Sequence, residues 1–330
     1  MRVAVLGLAH VHVEAYVAIL NALPDAELIG CAERDGAAPG RQFSDARRYR
    51  DVSSLLAERP DAVIVCSETV HHRALVEQAA AAGAHVLCEK PIATTLEDAV
   101  AMRDACLHHG VRFMTAFPMR FGAAVMQARQ TLQSGSLGQI LGMVGVNHSV
   151  NPSAHHAWFA DPQLAGGGAV MDHVVHLADL YRWWFGSDVR EVYASLGRGP
   201  EDAVETSGVL LVTLSNGLSA SIDCSWSRPP SYPRWGHLKV EVVGEQGVLR
   251  LDPFAEHLTV YGATTAPAWV GFAPDANRAM LIAFLDSVRL ASAPPVTWLD
   301  GYRALQVALA AYASDRLGQP ETVSSGDMGA

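Results

Sequence analysis

What the chain lacks narrows it before any motif is read. There is no excess of basic charge: 24 Lys and Arg stand against 34 Asp and Glu, a formal net charge of −10 over 330 residues. That balance argues against nucleic acid or an anionic membrane as the main partner. No apolar run approaches the ~18 residues of a membrane span. The N-terminus enters an apolar strand at Val3 without the successive regions of a secretory leader. Paired cysteine spacing is missing too. Cys31, Cys66, Cys88, Cys106 and Cys224 are scattered, which argues against a disulfide framework and reads as buried free thiols in a reducing compartment. A cytoplasmic location is therefore expected. Internal repeats, low-complexity tracts and long linkers are also absent. What is present is an ordinary soluble composition, half apolar and 18% charged, in a chain long enough for two domains. The unusual count is histidine, 14 of them, several adjacent.

The first 116 residues alternate strand and helix patterns. Residues 2–7, R-V-A-V-L-G, read as a short strand ending in glycine before a helix carrying Tyr16, Ile19 and Leu20. Strand, glycine turn and helix open a nucleotide-binding βαβ unit, in which a helix N-terminus faces a pyrophosphate. The glycine fingerprint of such units is itself depleted. Where G-x-G-x-x-G would stand, the chain has Gly7-Leu8-Ala9-His10-Val11-His12. Ala9 adds one methyl where backbone must approach phosphate, and His12 requires a rearranged helix–strand contact or a side chain that points elsewhere. His10 and His12 are candidate donors to the pyrophosphate or near a nicotinamide; as plain loop histidines they would have no such role. The strand over 26–32 ends at Glu33, the right distance on for a carboxylate that accepts the ribose hydroxyls. Glu33 would repel a 2′-phosphate, which favours NAD over NADP, while Arg34 beside it could stack on adenine or bind that phosphate.

A continuous apolar run at 61–67 suits a central parallel strand. Further on, Ala84 to Cys88 is a strand closed by Glu89-Lys90-Pro91, which places Lys90 at the C-terminal end of a parallel strand, where open α/β sheets bind ligands. A helix over 96–109 and a strand over 111–116 complete the alternation. This is a doubly wound α/β domain, expected over 1–118.

From Arg120 onward the strand-like runs alternate apolar and polar residues, over 141–148, 189–196, 207–214, 218–224, 239–243 and 248–251. Asn216-Gly217 marks a hairpin between two of them. A large, mostly antiparallel open sheet in an α+β domain is expected over 119–330, with one face on helices and the other free, and two helices, at about 277–292 and 300–317, to close the chain.

Within it, residues 166–186 carry the densest chemistry. Gly166, Gly167 and Gly168 give a flexible approach to a helix on which Asp172, His176 and Asp179 fall at i, i+4 and i+7, on one face. Val170, Val174, Leu177, Leu180 and Trp184 would anchor it. An acid and a base on a rigid element suit proton transfer; a core helix whose histidine is merely held by a carboxylate is the alternative.

With these residues in view, the chain resembles the Gfo/Idh/MocA oxidoreductase family over nearly its whole length. The likeness rests on Glu89-Lys90-Pro91, Met119-Arg120-Phe121, Gly138-Gln139-Ile140, the spacing Gly167-Gly168-(x3)-Asp172-(x3)-His176-(x2)-Asp179, and Val243-Gly244-(x2)-Gly247-Val248-Leu249. The resemblance implies that Lys90, Asp172 and His176 line a substrate pocket beside the nicotinamide of NAD, that Arg120 lies close, and that the free sheet face makes a homodimer or homotetramer. Ser67-Glu68-Thr69-Val70-His71-His72 resembles the family's T-P-N-x-x-H, so Ser67, Glu68 and His72 join Glu89 and Lys90 on the cofactor side; Glu68 stands where proline is usual. Asp172-His173-Val174 departs from the family's Asp-x-Gly.

The expected reaction is reversible hydride transfer between NAD and a hydroxyl-bearing carbon of a sugar, cyclitol or related polyol. His176 would take the hydroxyl proton, Lys90 would stabilise negative charge on the same oxygen, and Asp172 would hold the substrate or bias the histidine's tautomer. Asp179 would fix the imidazole or a neighbouring loop. Arg120 is a pocket group or an ion-pair member; His155, His156 and Trp158 are candidate pocket walls, and His173 is placed with Asp172 on the substrate side. No metal is expected, although Asp172, His173 and His176 with His155 or His156 could supply zinc ligands. Two other readings are a non-catalytic NAD-binding sugar sensor and an NAD-dependent redox-cycling glycoside hydrolase.

Overall fold

The structure is a computed structural model that describes residues 1–34, 46–154, 156–234, 236–260, 268–271, 274–324 and 326. The chain forms two compact units: Met1–Pro118 with Gln163–Gly166 and Asn277–Leu305, and Met119–Pro162 with Gly167–Ala276 and Gln306–Ala330. Segments 163–166 and 277–305, expected in the second domain, thus fold with the first.

The first unit is built on six parallel strands, β1 (Arg2–Leu6), β2 (Glu27–Ala32), β3 (Arg48–Tyr49), β4 (Ala62–Val65), β5 (His85–Cys88) and β6 (Phe113–Thr115), in the order β3-β2-β1-β4-β5-β6. This is the doubly wound order, whose strand C-termini form a ligand edge where the order reverses between β1 and β4. Val3 to Leu6 and Ala62 to Val65 are buried at 1% exposure or less, which is why both read as unbroken apolar runs rather than alternating ones. Strand β3, only two polar residues long, carries no such signal. Between the strands lie α1 (Val13–Ala22), α2 (Val52–Leu56), α3 (His72–Ala81) and α4 (Leu96–His108). Asp51 caps α2 by accepting from Ser54 N–H at 2.7 Å, and Thr95 caps α4 through Asp98 N–H at 3.1 Å.

In the second unit α5 (Ala123–Gln133) precedes β7 (Ile140–Val150); after α6 (Pro162–Ala165), which folds with the first unit from Gln163 on, come α7 (Ala169–Phe185), β8 (Val189–Gly197), β9 (Ser207–Leu214), β10 (Ser219–Arg228), β11 (Gly236–Gly244) and β12 (Gly247–Leu251). A small hairpin of β13 (His257–Val260) and β14 (Ala268–Gly271) stands apart from the main sheet. Helix α8 (Ala276–Arg289) folds with the first unit from Asn277 on, and α9 (Trp298–Leu317) belongs to the first unit up to Leu305 and to the second from Gln306, before β15 (Glu321–Thr322). The sheet order is β12-β11-β7-β10-β9-β8-β15; the central β7–β10 pair is parallel and the other pairs are antiparallel.

Helix α7 lies on one face of this sheet. Val170, Val174, Leu177 and Leu180 are fully buried and Trp184 nearly so, each contributing on the order of 1.5–3 kcal/mol through burial of a large apolar side chain. Tyr181 Oη donates to Ser221 C=O of β10 at 3.2 Å, and Gly186 (φ +59) ends the helix in the left-handed conformation. The opposite sheet face leaves Val144, Tyr193, Val209, Leu211 and Val248 between 46% and 58% exposed. Among the described residues no helix is long and apolar enough to cross a membrane.

Candidate active site

In the first unit the candidate residues gather at the C-terminal edge of the sheet. Gly7 ends β1 at φ +75, and a Cβ there would lie 2.7 Å from the Ser67 main chain, so only glycine lets this turn ride against the β4 loop. Helix α1 begins after His12 with no side chain capping it, as an anion-binding N-terminus requires. Glu33, just past β2, accepts the N–H groups of Leu8 (3.4 Å) and Arg34 (3.0 Å) through Oε1. Burial raises its pKa, the two N–H bonds lower it, and the Glu68 carboxylate raises it further. The turn at Gly7, the open start of α1 and the acidic end of β2 together fit NAD.

The histidines standing in place of fingerprint glycines have a different partner. His12 Nδ1 lies 2.9 Å from Glu89 Oε1, and Tyr16 Oη donates to the same oxygen at 2.6 Å. His10 is 1% exposed, its Nδ1 3.5 Å from that oxygen, and burial pushes its pKa down to about 3. It is neutral at ordinary pH and brings no cationic charge to a pyrophosphate. Glu89 is fully buried, yet its pKa lies below the ordinary carboxylate range. Burial opposes that. Since a neutral His10 offers no charge, the bonds from His12 and Tyr16, with Lys90 N–H at 3.1 Å on Oε2, keep the carboxylate ionised. Glu89 thereby ties the start of α1 to the turn that carries Lys90. Among the described residues His10, His12 and Glu89 are the cluster with metal-ligand spacing; Asp172, His173 and His176 do not form one.

Two cofactor-side candidates, His72 and Ser67, bond to the loop main chain. His72, fully buried with its pKa lowered by that burial, bridges Ile92 C=O (Nδ1, 3.1 Å) and Ser67 C=O (Nε2, 3.3 Å). Ser67, also fully buried, donates from Oγ to Glu68 C=O at 3.1 Å. Glu68 itself accepts from Arg34 Nε at 3.3 Å. Lys90 is buried and its peptide bond to Pro91 is cis.

In the second unit the site is the polar face of α7. Its N-terminus is anchored by Glu205, whose Oε1 accepts the N–H groups of Gly168 and Val170 at 2.9 Å each and the Tyr312 hydroxyl at 2.7 Å. A carboxylate there satisfies unpaired amides and opposes the positive end of the helix dipole. The glycines before α7 serve this closeness, not flexibility: a Cβ at Gly168 would collide with the Glu205 carbonyl oxygen. Asp172, 8% exposed, accepts from Trp226 Nε1 of β10 at 3.2 Å. His176, one turn on, is half-buried.

Asp179 accepts from Arg120 Nε at 2.8 Å and from Arg120 Nη2 as well, which ties α7 to the short segment Pro118–Phe121. Arg120 is an ion-pair member, 5% exposed, with its guanidinium beside Trp183. His173 keeps its Nδ1 3.6 Å from Asp172 Oδ2, while its Nε2 is 3.0 Å from Ser149 Oγ and its carbonyl accepts from Asn147 Nδ2 at 3.2 Å. Trp158 is half-buried and stacks on Phe159 at 4.0 Å, and His156 is half-buried beside the same ring. His155 lies outside the described residues.

Glu205, Trp226, Tyr16 and Tyr312 were not singled out from the sequence. Two of them had a signal: Tyr16 stands at i+4 from His12, and Trp226 continues the inward register Ala220, Ile222, Cys224. Glu205, in a loop, and Tyr312, on the closing helix, had none.

Comparison with known proteins decides the family. Residues 1–117 match the model described as the oxidoreductase family with NAD-binding Rossmann fold, and residues 125–250 match the GFO/IDH/MocA C-terminal domain. The chain belongs to the Gfo/Idh/MocA oxidoreductase family. It is similar to D-apiose dehydrogenase of Paraburkholderia graminis, 30% identical over 91% of this chain and 84% of that one. It is also similar to myo-inositol dehydrogenase Hyg17 of Streptomyces leeuwenhoekii, 28% identical over 94% and 96%. Its fold matches GenD2 from gentamicin A biosynthesis, solved in complex with NAD, at a TM-score of 0.87 with 23% identity over 98% and 97% of the two chains. As a Gfo/Idh/MocA oxidoreductase, the chain is an NAD-dependent dehydrogenase.

Proposed function

We propose that this dehydrogenase oxidises, reversibly, a carbinol carbon of a sugar, cyclitol or related polyol, with Lys90, Asp172 and His176 as the groups that act on the substrate. The observation that carries the reading is the α7 face. Asp172 and His176 sit one turn apart on a helix that Glu205 anchors at its start, and Trp226 holds the carboxylate in place.

NAD, when bound, supplies the hydride acceptor. The protein's share is to move one proton and to steady charge on one oxygen. His176 takes the hydroxyl proton as general base, the role an imidazole fills best near neutral pH. Lys90 donates to the same oxygen and stabilises its alkoxide character. Asp172, restrained by Trp226, accepts from a substrate hydroxyl and fixes its orientation. Gly7 and Glu33 serve the nucleotide, and Glu89 keeps the Lys90 turn tied to α1. Dehydrogenases named for apiose and inositol among the relatives support a polyhydroxylated substrate. The exposed apolar row of Val144, Tyr193, Val209, Leu211 and Val248 supports a homo-oligomer formed through the sheet's free face.

The test is NADH formation from a panel of cyclitols, aldoses and sugar acids by wild type, Lys90→Ala and His176→Ala. Turnover by wild type that falls at least ~100-fold in both variants supports the reading. Turnover that survives in either variant removes that residue from the mechanism.

A further inference from the structure

Beyond the α7 face, three charged side chains from two strand ends converge at the nucleotide edge of the first unit. Glu33 and Arg34 follow β2, and Glu68 lies three residues past β4. Arg34 Nε donates to Glu68 Oε2 at 3.3 Å, with the Arg34 side chain 26% and the Glu68 side chain 13% exposed. Glu33 is held by the N–H groups of Leu8 and Arg34, so it cannot swing away from the Arg34 main chain. Glu68 also bears electrostatically on Glu33, raising its pKa alongside burial. Among the described residues, these two carboxylates and one guanidinium sum to −1. A phosphomonoester brings close to two further negative charges.

We infer that Glu68 determines cofactor selectivity: by holding Arg34 it withholds that guanidinium from a 2′-phosphate, and so selects NAD over NADP. An arginine binds phosphate best when its planar fork is available for bidentate contact, and here its Nε edge already faces a carboxylate. In addition, Glu68 repels the incoming phosphate directly. Glu33 alone would disfavour NADP by repulsion; Glu68 makes the disfavour stronger by removing the compensating cation. The inference rests on the NAD assignment.

The test is equilibrium binding of NAD and NADP without substrate, followed by quenching of tryptophan fluorescence, for wild type, Glu68→Gln, Arg34→Ala and Arg34→Ala/Glu68→Gln. The readout is the ratio of the two dissociation constants. Glu68→Gln is expected to shift this ratio toward NADP on the order of tenfold, given the strength of charge pairs near a protein surface. The shift should shrink as salt is raised. It should fall to a few-fold in the Arg34→Ala background, because a released arginine is its main source. Glu68→Asp, with a shorter reach, should give a partial shift and guards against a folding defect in the glutamine variant. An unmoved ratio in Glu68→Gln and Glu68→Asp overturns the inference. So does a full tenfold shift in the double variant, since the arginine would then play no part. Failure of the wild-type chain to bind either nucleotide overturns both the inference and the NAD assignment, whereas NAD binding with an unmoved ratio overturns the inference alone.

Discussion

Acid should destabilise this protein well before carboxylates titrate, and His10 is where the effect can be isolated. In the folded chain His10 is 1% exposed and resists protonation down to about 3, while an unfolded histidine takes a proton near 6.5. Between those values the unfolded state binds the extra proton, so stability falls as pH falls through that window. At pH 7 the unfolded imidazole is mostly neutral and the penalty is slight. At pH 5 it is almost wholly protonated, and the single site costs about 2 kcal/mol more than at pH 7. Glu89, with its depressed pKa, adds a loss of the same sign below the ordinary carboxylate value of ~4.5. His72, lowered by burial, and His237, lowered to about 4 by burial and then by Arg228, act in the same direction. They do so in wild type and variant alike. Urea unfolding followed by far-ultraviolet circular dichroism at pH 7 and pH 5 should therefore show His10→Gln losing about 2 kcal/mol less than wild type. Equal losses would refute the buried, neutral histidine.

Other changes have equally definite outcomes. Trp226→Phe removes the hydrogen bond to Asp172 and should cost about 1 kcal/mol of stability, with kcat reduced roughly tenfold and the KM for NAD little changed; unchanged kcat would mean that Asp172 needs no restraint. Asp179→Asn leaves the Arg120 guanidinium buried without its counter-charge, an expected loss of roughly 3–5 kcal/mol in chemical denaturation; a loss below about 1 kcal/mol would mean that the pair is effectively solvated. If wild type sediments as the proposed homo-oligomer in analytical ultracentrifugation, Leu211→Glu, placed among Tyr193, Val209 and Val144 on the free sheet face, should sediment as monomer; a wild-type monomer, or an unchanged sedimentation coefficient in the variant, would exclude this face as the interface.

How far these features were legible depends on what each signal measures. Strands β1, β4 and β5 are buried on both faces, so their apolar runs could be read directly; β7 to β12 are covered on one face, so their alternation could. The Asp172, His176, Asp179 face was legible because helical geometry alone sets it. What each of those residues binds was not, because the partners come from distant segments. Asp179 meets Arg120 from 59 residues upstream, Asp172 meets Trp226 from 54 downstream, and His12 finds Glu89 across 77. The glycines at 166–168 illustrate the same limit. Sequence showed that the backbone there has no side chains, but only the structure shows the Glu205 carbonyl that makes a Cβ at Gly168 impossible. The depleted fingerprint was the most instructive case. His12 stands where the fingerprint would have a glycine, and the partner it meets there, a buried Glu89 that also accepts from Tyr16, lies 77 residues away.

The central claim is hydride transfer from a carbinol carbon of the substrate, and isotope transfer measures it most directly. With a polyol substrate deuterated at the reacting carbon, wild-type protein and NAD should yield NADH carrying one deuterium on the nicotinamide, detected by mass spectrometry after a single turnover, with none washed into solvent. NADH without deuterium, or deuterium recovered in water while NAD remains oxidised, would contradict the dehydrogenase account.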